Sequence, residues 1–157
     1  MIKLGLLWTG YLIISFAVFL LTSFTIIGGI AYIFLLLPFY GLLLFFGWLK
    51  IIQNKNKTPH FKELIWIVVF ILQISVIATA PGNCYLAKQG ESCYSNLQIM
   101  AGKAPSYGAS DVPHWTIIEN AFFGMLPAYA IALSLGVGTT SFKANQNKNP
   151  SDDEVNS

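Results

Sequence analysis

Residues 4–49 read LGLLWTGYLIISFAVFLLTSFTIIGGIAYIFLLLPFYGLLLFFGWL, and the way this run folds decides the architecture. It carries no charged residue and no polar stripe of the kind a soluble amphipathic helix shows. At about 1.5 Å per residue, a single helix of this length would far exceed a hydrocarbon core of about 30 Å. The chain must therefore turn back on itself. The corner is expected at Thr22-Ser23-Phe24-Thr25-Ile26-Ile27-Gly28-Gly29, where hydroxyls can satisfy backbone groups and the glycine pair permits a tight turn. This predicts a first helix near residues 4–23 and a second near 29–49, kinked at Pro38.

Downstream, residues 50–62 are polar and basic, with Lys50, Lys55, Lys57 and Lys62. Thr58-Pro59 has the form of an N-cap followed by proline at the first helical position. It predicts a third helix over 59–80, ending before Pro81-Gly82. A long polar segment, 81–111, holds both cysteines. Asp111-Val112-Pro113 repeats the cap-plus-proline signal and predicts a fourth helix over 112–139. The tail, 141–157, is rich in Asn and Asp and is expected to be disordered. The expected fold is all-α: one polytopic membrane domain, 1–140, built as a bundle of four transmembrane helices.

Composition agrees. Apolar residues make up 55% of the chain and charged residues 10%, against soluble norms of about 45–50% and about 25%. All nine basic residues are lysines and the net charge is only +2, which gives no reason to expect nucleic acid as a partner. Lys3 followed by an apolar stretch raises the question of a cleaved signal peptide. The stretch outruns an h-region and no A-x-A-like site follows it, so a retained first helix is expected.

Lysine bias sets the expected orientation. With both termini cytoplasmic, seven lysines (3, 50, 55, 57, 62, 143 and 148) lie inside and two (88 and 103) outside. Trp8, Trp48 and Trp66 then fall near the inner interface and Trp115 near the outer one. A bacterial inner membrane fits this composition.

Cys84 and Cys93 share the extracytoplasmic loop, where a disulfide is expected. A structural staple is the favoured reading. The alternative is a membrane thiol-disulfide oxidoreductase, but one pair without C-x-x-C cannot relay electrons to a second pair. His60 and His114 fall on opposite sides of the membrane, so no metal site or other cofactor is expected. Glu119 is the one acid within an apolar span, expected about 10 Å into the fourth helix and within reach of headgroups or the loop. Gln73, near the middle of the third helix, is expected to hydrogen-bond across helices. Together, Glu119 and Gln73 are the polar residues that a small oligomeric transporter or channel would use.

Tyr94–Ala101 is expected to form a short surface helix. Asn120, Gly124, Ala128, Ala132 and Gly136 recur every four residues and are expected to form the packing ridge of the fourth helix. No Gly-rich phosphate loop, H-E-x-x-H or G-x-S-x-G motif occurs. The favoured function is therefore non-enzymatic: a small integral membrane protein acting through contacts with a membrane partner or its own copies, as an accessory subunit, assembly factor or toxin-immunity protein.

Overall fold

The computed structural model describes residues 2–55, 57–85 and 93–144. Most of them are helical. Helix α1 spans Ile2–Leu21, α2 spans Ile26–Gln53, α3 spans Glu63–Thr79, the short α4 spans Asn96–Met100, and α5 spans Thr116–Thr139. Three of these, α1, α2 and α5, are long and apolar enough to cross a membrane, and α3 is apolar but shorter, at 17 residues. Their outward faces are predominantly apolar: Leu21, Ile26 and Ile117 are each at least 80% exposed. Such a surface would aggregate in water and is at home in lipid. The protein is an integral membrane protein.

The corner between α1 and α2 is tighter than expected and lies earlier. α1 stops at Leu21, and Thr25 caps α2 by accepting the Gly28 N–H at 3.3 Å. The glycine pair therefore sits inside the first turn of α2 rather than in the bend. A Cβ at Gly28 would lie 2.9 Å from Ser23 Oγ, so a larger residue there would require the serine side chain to turn aside.

Pro38 leaves its mark one turn upstream. It lacks an N–H, and its ring crowds the carbonyl four residues back. Residues Tyr32–Leu36 respond by widening into a π-helical turn, with the Leu37 N–H donating to Tyr32 O.

The third helix begins later than Thr58-Pro59 suggests. Lys57–His60 is instead a strand, β1, paired antiparallel with Ser141–Ala144, β4, so that Pro59 faces Phe142. In a two-stranded ribbon both strands are edges, so a proline without an N–H is tolerated, and the residue before it already favours extended backbone. This strand also claims the first residues of the segment expected to be a disordered tail. The rest of that segment, with Lys148, lies outside the described residues, as do Lys88 and Glu91.

The fourth helix likewise starts at Thr116 rather than 112. The carbonyls just before it are taken by side chains of the loop: Tyr94 OH donates to Ser110 O and Val112 O, and Gln98 Nε2 to Pro113 O. These bonds tie residues 110–113 to the loop, ahead of the helix.

Helices α3 and α5 make the most extensive helix–helix contact. The core is a continuous column that includes Phe19, Tyr32, Val69, Phe122 and Tyr129, all at most 1% exposed. Near the middle of this column sits a polar knot. Ser15 Oγ, Tyr40 OH and Tyr129 OH form a triangle with sides of 2.8, 3.1 and 2.6 Å. Three hydroxyls in a ring can each donate once and accept once, so the triangle satisfies itself. Gln73 Nε2 donates to the spare lone pair of Ser15 at 3.0 Å, and Tyr11 OH approaches Gln73 Oε1 at 3.4 Å. One knot thus ties α1, α2, α3 and α5 together.

Candidate functional site

Residues 81–85 and 93–115 form a folded lid over one end of the bundle. Its frame is a short antiparallel pair, β2 (Pro81–Asn83) and β3 (Tyr94–Ser95), closed by the Cys84–Cys93 disulfide with an S–S distance of 2.05 Å. Strand β3 runs into α4, which Ser95 caps through the Gln98 N–H. The surface helix expected over Tyr94–Ala101 is therefore shorter, at Asn96–Met100, because its first two residues are used in the sheet.

The lid is anchored by filling the unmet needs of helix ends. Asn96 Nδ2 donates to Thr22 O at the end of α1 and to Ile77 O near the end of α3, at 2.9 and 3.0 Å. Thr25 Oγ1 donates to Pro81 O at 2.7 Å. Gly82 passes so close to α4 that a Cβ would lie 2.6 Å from Asn96 Oδ1. Asn83 Nδ2 holds the far part of the loop through Pro105 O and Gly108 O. Outward, the lid presents Tyr85, Met100 and Tyr107, the last 84% exposed, with the two tyrosine rings edge to face at 6.0 Å.

Glu119 lies where α5 meets this lid. Because α5 begins at Thr116, Glu119 lies in its first turn, and its side chain is only 2% exposed. Oε1 accepts from the Trp115 N–H at 3.2 Å, capping the helix in the manner of a capping box, and lies 3.0 Å from His114 Nδ1. His114 in turn stacks flat on Tyr94, with centroids 4.1 Å apart. Glu119 Oε2 is buried and has no hydrogen-bond partner. The residue also contributes to the wall of a cavity of about 220 Å³, together with Thr79, Cys93 and Asn120. Of the two surroundings expected for Glu119, headgroups or the loop, it is residues at the end of the loop, His114 and Trp115, that meet its Oε1.

Gln73 and Glu119 are not brought together. Gln73 is spent in the central knot, whereas Glu119 sits under the lid. His60 lies in β1, away from His114, and among the described residues no group of three His, Cys, Asp or Glu side chains could hold a metal ion.

The small-residue ridge divides. Ala132 and Gly136 are buried, and a Cβ at Gly136 would lie 3.5 Å from the Trp66 indole. Ala128 is half-buried, while Asn120 and Gly124 are exposed, and a Cβ at Gly124 would meet nothing within 4 Å. Helical geometry explains the division. A step of four residues turns about 400°, so five such positions drift across about 160° of the helix surface and cannot share one face. The buried stripe follows Phe122, Leu126, Tyr129 and Leu133 instead, which alternates steps of four and three.

At the opposite end, α1 and α2 interlock by a reciprocal exchange. The Trp8 indole lies against Gly47, and the Trp48 indole against Gly5. Trp48 Nε1 donates to Thr9 Oγ1 at 3.1 Å. Lys50 Nζ reaches across to Val137 O and Gly138 O, capping the end of α5. Sequence reading missed this lock, although Gly5-x-x-Trp8 and Gly47-Trp48 were there to be paired.

A helical membrane protein with a disulfide-closed lid is the class that fold and site define. Compared with family models, with curated proteins and with solved structures, the chain matches none.

Proposed function

We propose that the chain is a four-span protein of a bacterial inner membrane, with both termini cytoplasmic, that acts without chemistry of its own by offering its extracytoplasmic lid to a membrane-protein partner. The observation that carries this reading is the contrast between the anchored underside of the lid and its exposed aromatic outer face. Asn96 and Thr25 spend their hydrogen bonds holding the lid to the bundle, while Tyr85, Met100 and Tyr107 point away from it. Rigid, exposed tyrosines give contact area at small entropic cost. On this reading α3 is the fourth span. Its 17 residues reach the lower limit of membrane helices, and β1 and Pro81 extend it at either end.

The central knot supports the same reading over a transporter. Ser15, Tyr40, Tyr129 and Gln73 satisfy one another, which suits packing better than a path for ions. The disulfide serves as a staple for the lid rather than as a redox centre. The test is co-purification from native membranes in mild detergent, comparing the wild type with a Tyr85→Ser, Tyr107→Ser variant. A stoichiometric partner lost in the variant is expected. A pure homo-oligomer, unchanged in the variant, would refute the reading.

A further inference from the structure

The end of the bundle away from the lid holds an apolar cleft of about 240 Å³, with Trp8, Tyr11, Phe61, Trp66 and Phe142 as its aromatic wall. Some of these rings act as spacers between α1 and α3. Trp66 meets Trp8 edge-on at 5.8 Å and Tyr11 at 5.9 Å. Polar groups of the wall are engaged elsewhere. Tyr11 OH approaches Gln73 Oε1, Thr140 Oγ1 donates to Gly136 O, and Lys50 Nζ donates to Val137 O and Gly138 O. A cavity that offers water few partners does not order it, and apolar cavities of about 150 Å³ take up benzene instead. Two residues of the lining, Leu7 and Phe61, are 72% and 43% exposed, which opens the cleft to surrounding hydrocarbon.

We propose that this cleft binds an acyl chain of an anionic phospholipid whose headgroup lies at Lys50. Charge points to that class of lipid. Lys50 is the one charged residue of the wall. Its bond to Gly138 O is exposed, so the ammonium is reachable from the headgroup layer. An ammonium has three N–H groups, and the two carbonyls leave one for a phosphate oxygen. Lys3, Lys55, Lys57, Lys62 and Lys143 are exposed at the same end, where Glu63 is the only acid among the described residues. Asp152, Asp153 and Glu154 lie outside the described residues. A lysine collar of this kind draws anionic headgroups, and the cleft beside Lys50 fixes one of them. The inference rests on the membrane reading, but neither on its orientation nor on a partner for the lid. Were this end found outside, the lipid would belong to the outer leaflet and the site would stand.

The test is native mass spectrometry of the intact protein, delipidated and then mixed with equal amounts of phosphatidylglycerol and phosphatidylethanolamine carrying the same acyl chains. The wild type should retain phosphatidylglycerol about fivefold more, the value of one lysine beside an anionic headgroup. Lys50→Gln should remove that preference, whereas Lys103→Gln, on the lid, should keep it. Leu4→Trp fills the cleft and leaves Lys50 intact. It should lower retention of both lipids by at least about fourfold, the value of one buried methylene, and serves if Lys50→Gln folds poorly. No preference in the wild type overturns the proposal. So does a preference that survives Lys50→Gln, which would belong to the lysine collar at large, and so does unchanged retention in Leu4→Trp. Sodium laurate separates the sources. If the wild type retains laurate, Lys50→Gln does not, and no phospholipid is selected, the cleft and its lysine are supported and the phospholipid source is overturned. None of these readouts involves the lid, so failure of its proposed partner contact would be seen separately.

Discussion

Replacing Gly47 with alanine should destabilise the protein by about 1–3 kcal/mol, the usual cost of overpacking a filled contact. The added Cβ would lie 2.5 Å from Trp8 Nε1, 3.1 Å from Cδ1 and 3.4 Å from Cε2. Comfortable separations are about 3.5–4.0 Å, so the indole must retreat by about 1 Å. Two aromatic rings restrict that retreat, and the cavity of about 240 Å³ that Trp8 and Gly47 also line sets how much of the cost is relieved. Tyr11 stacks against the indole with centroids 5.9 Å apart, and Trp66 meets it edge-on at 5.8 Å. Gly41 on the same helix is the control, because a Cβ there would meet nothing within 4 Å. Gly41→Ala should be neutral or stabilising by up to about 1 kcal/mol, since alanine favours helix. Thermal unfolding in detergent reads the difference, at about 2–4 °C per kcal/mol for a chain of this size. Gly47→Ala should melt several degrees below Gly41→Ala. Shortening the ring by Trp8→Phe should cost less in the Gly47→Ala background than alone, the signature of coupled neighbours. Equal melting of the two alanine variants would refute the interlock.

Three further outcomes are expected. Single cysteines placed at Lys57 and Phe142 should react with an impermeant maleimide only after the cells are opened, whereas one at Tyr107 should react in intact cells; labelling of residue 57 from outside would break the four-span topology. Alkylation without reductant should leave Cys84 and Cys93 unmodified, and the double serine variant should lose roughly 2–3 kcal/mol by the chain-entropy reckoning, a model-dependent figure, measured by chemical unfolding; an unchanged midpoint would remove the staple. Ala132→Leu should impair folding, because Ala132 is 7% exposed in the core, whereas Gly124→Leu and Ile131→Leu should be tolerated, as proteolysis in detergent can report; equal sensitivity at 124 and 132 would mean that the outer half of the ridge is covered by another chain.

Much of the bundle was legible because lipid imposes a coarse rule. Long uncharged runs must be helices, and a run of the length of 4–49 must turn once. A corner within Thr22–Gly29, the break at Pro81 and the disulfide pair followed from such local signals. Boundaries failed where a tertiary partner outbid a local cap. Thr58-Pro59 looks like a helix start until Ser141–Ala144 arrives to pair with it, and Val112-Pro113 looks like one until Tyr94 and Gln98 claim its carbonyls. Within the single chain only Ala132 and Gly136 of the helix-packing ridge are buried, since a strict repeat of four drifts around a helix with 3.6 residues per turn. Glu119 was visible as an unusual residue, but its burial was not. The lid that covers it is held by asparagine, glutamine and tyrosine side chains bonded to backbone carbonyls far away in sequence, and no periodicity announces such bonds.

The central claim is that the outer face of the lid meets a partner, and site-specific photo-crosslinking in native membranes tests it most directly. A photoreactive side chain at Tyr107 or Met100, on that outer face, should yield one discrete adduct with a second membrane protein. The same group at Ile117, 87% exposed on the flank of α5, should yield lipid adducts only. Discrete protein adducts from Ile117 with none from Tyr107 or Met100 would contradict the account and place the contact surface on the bundle instead.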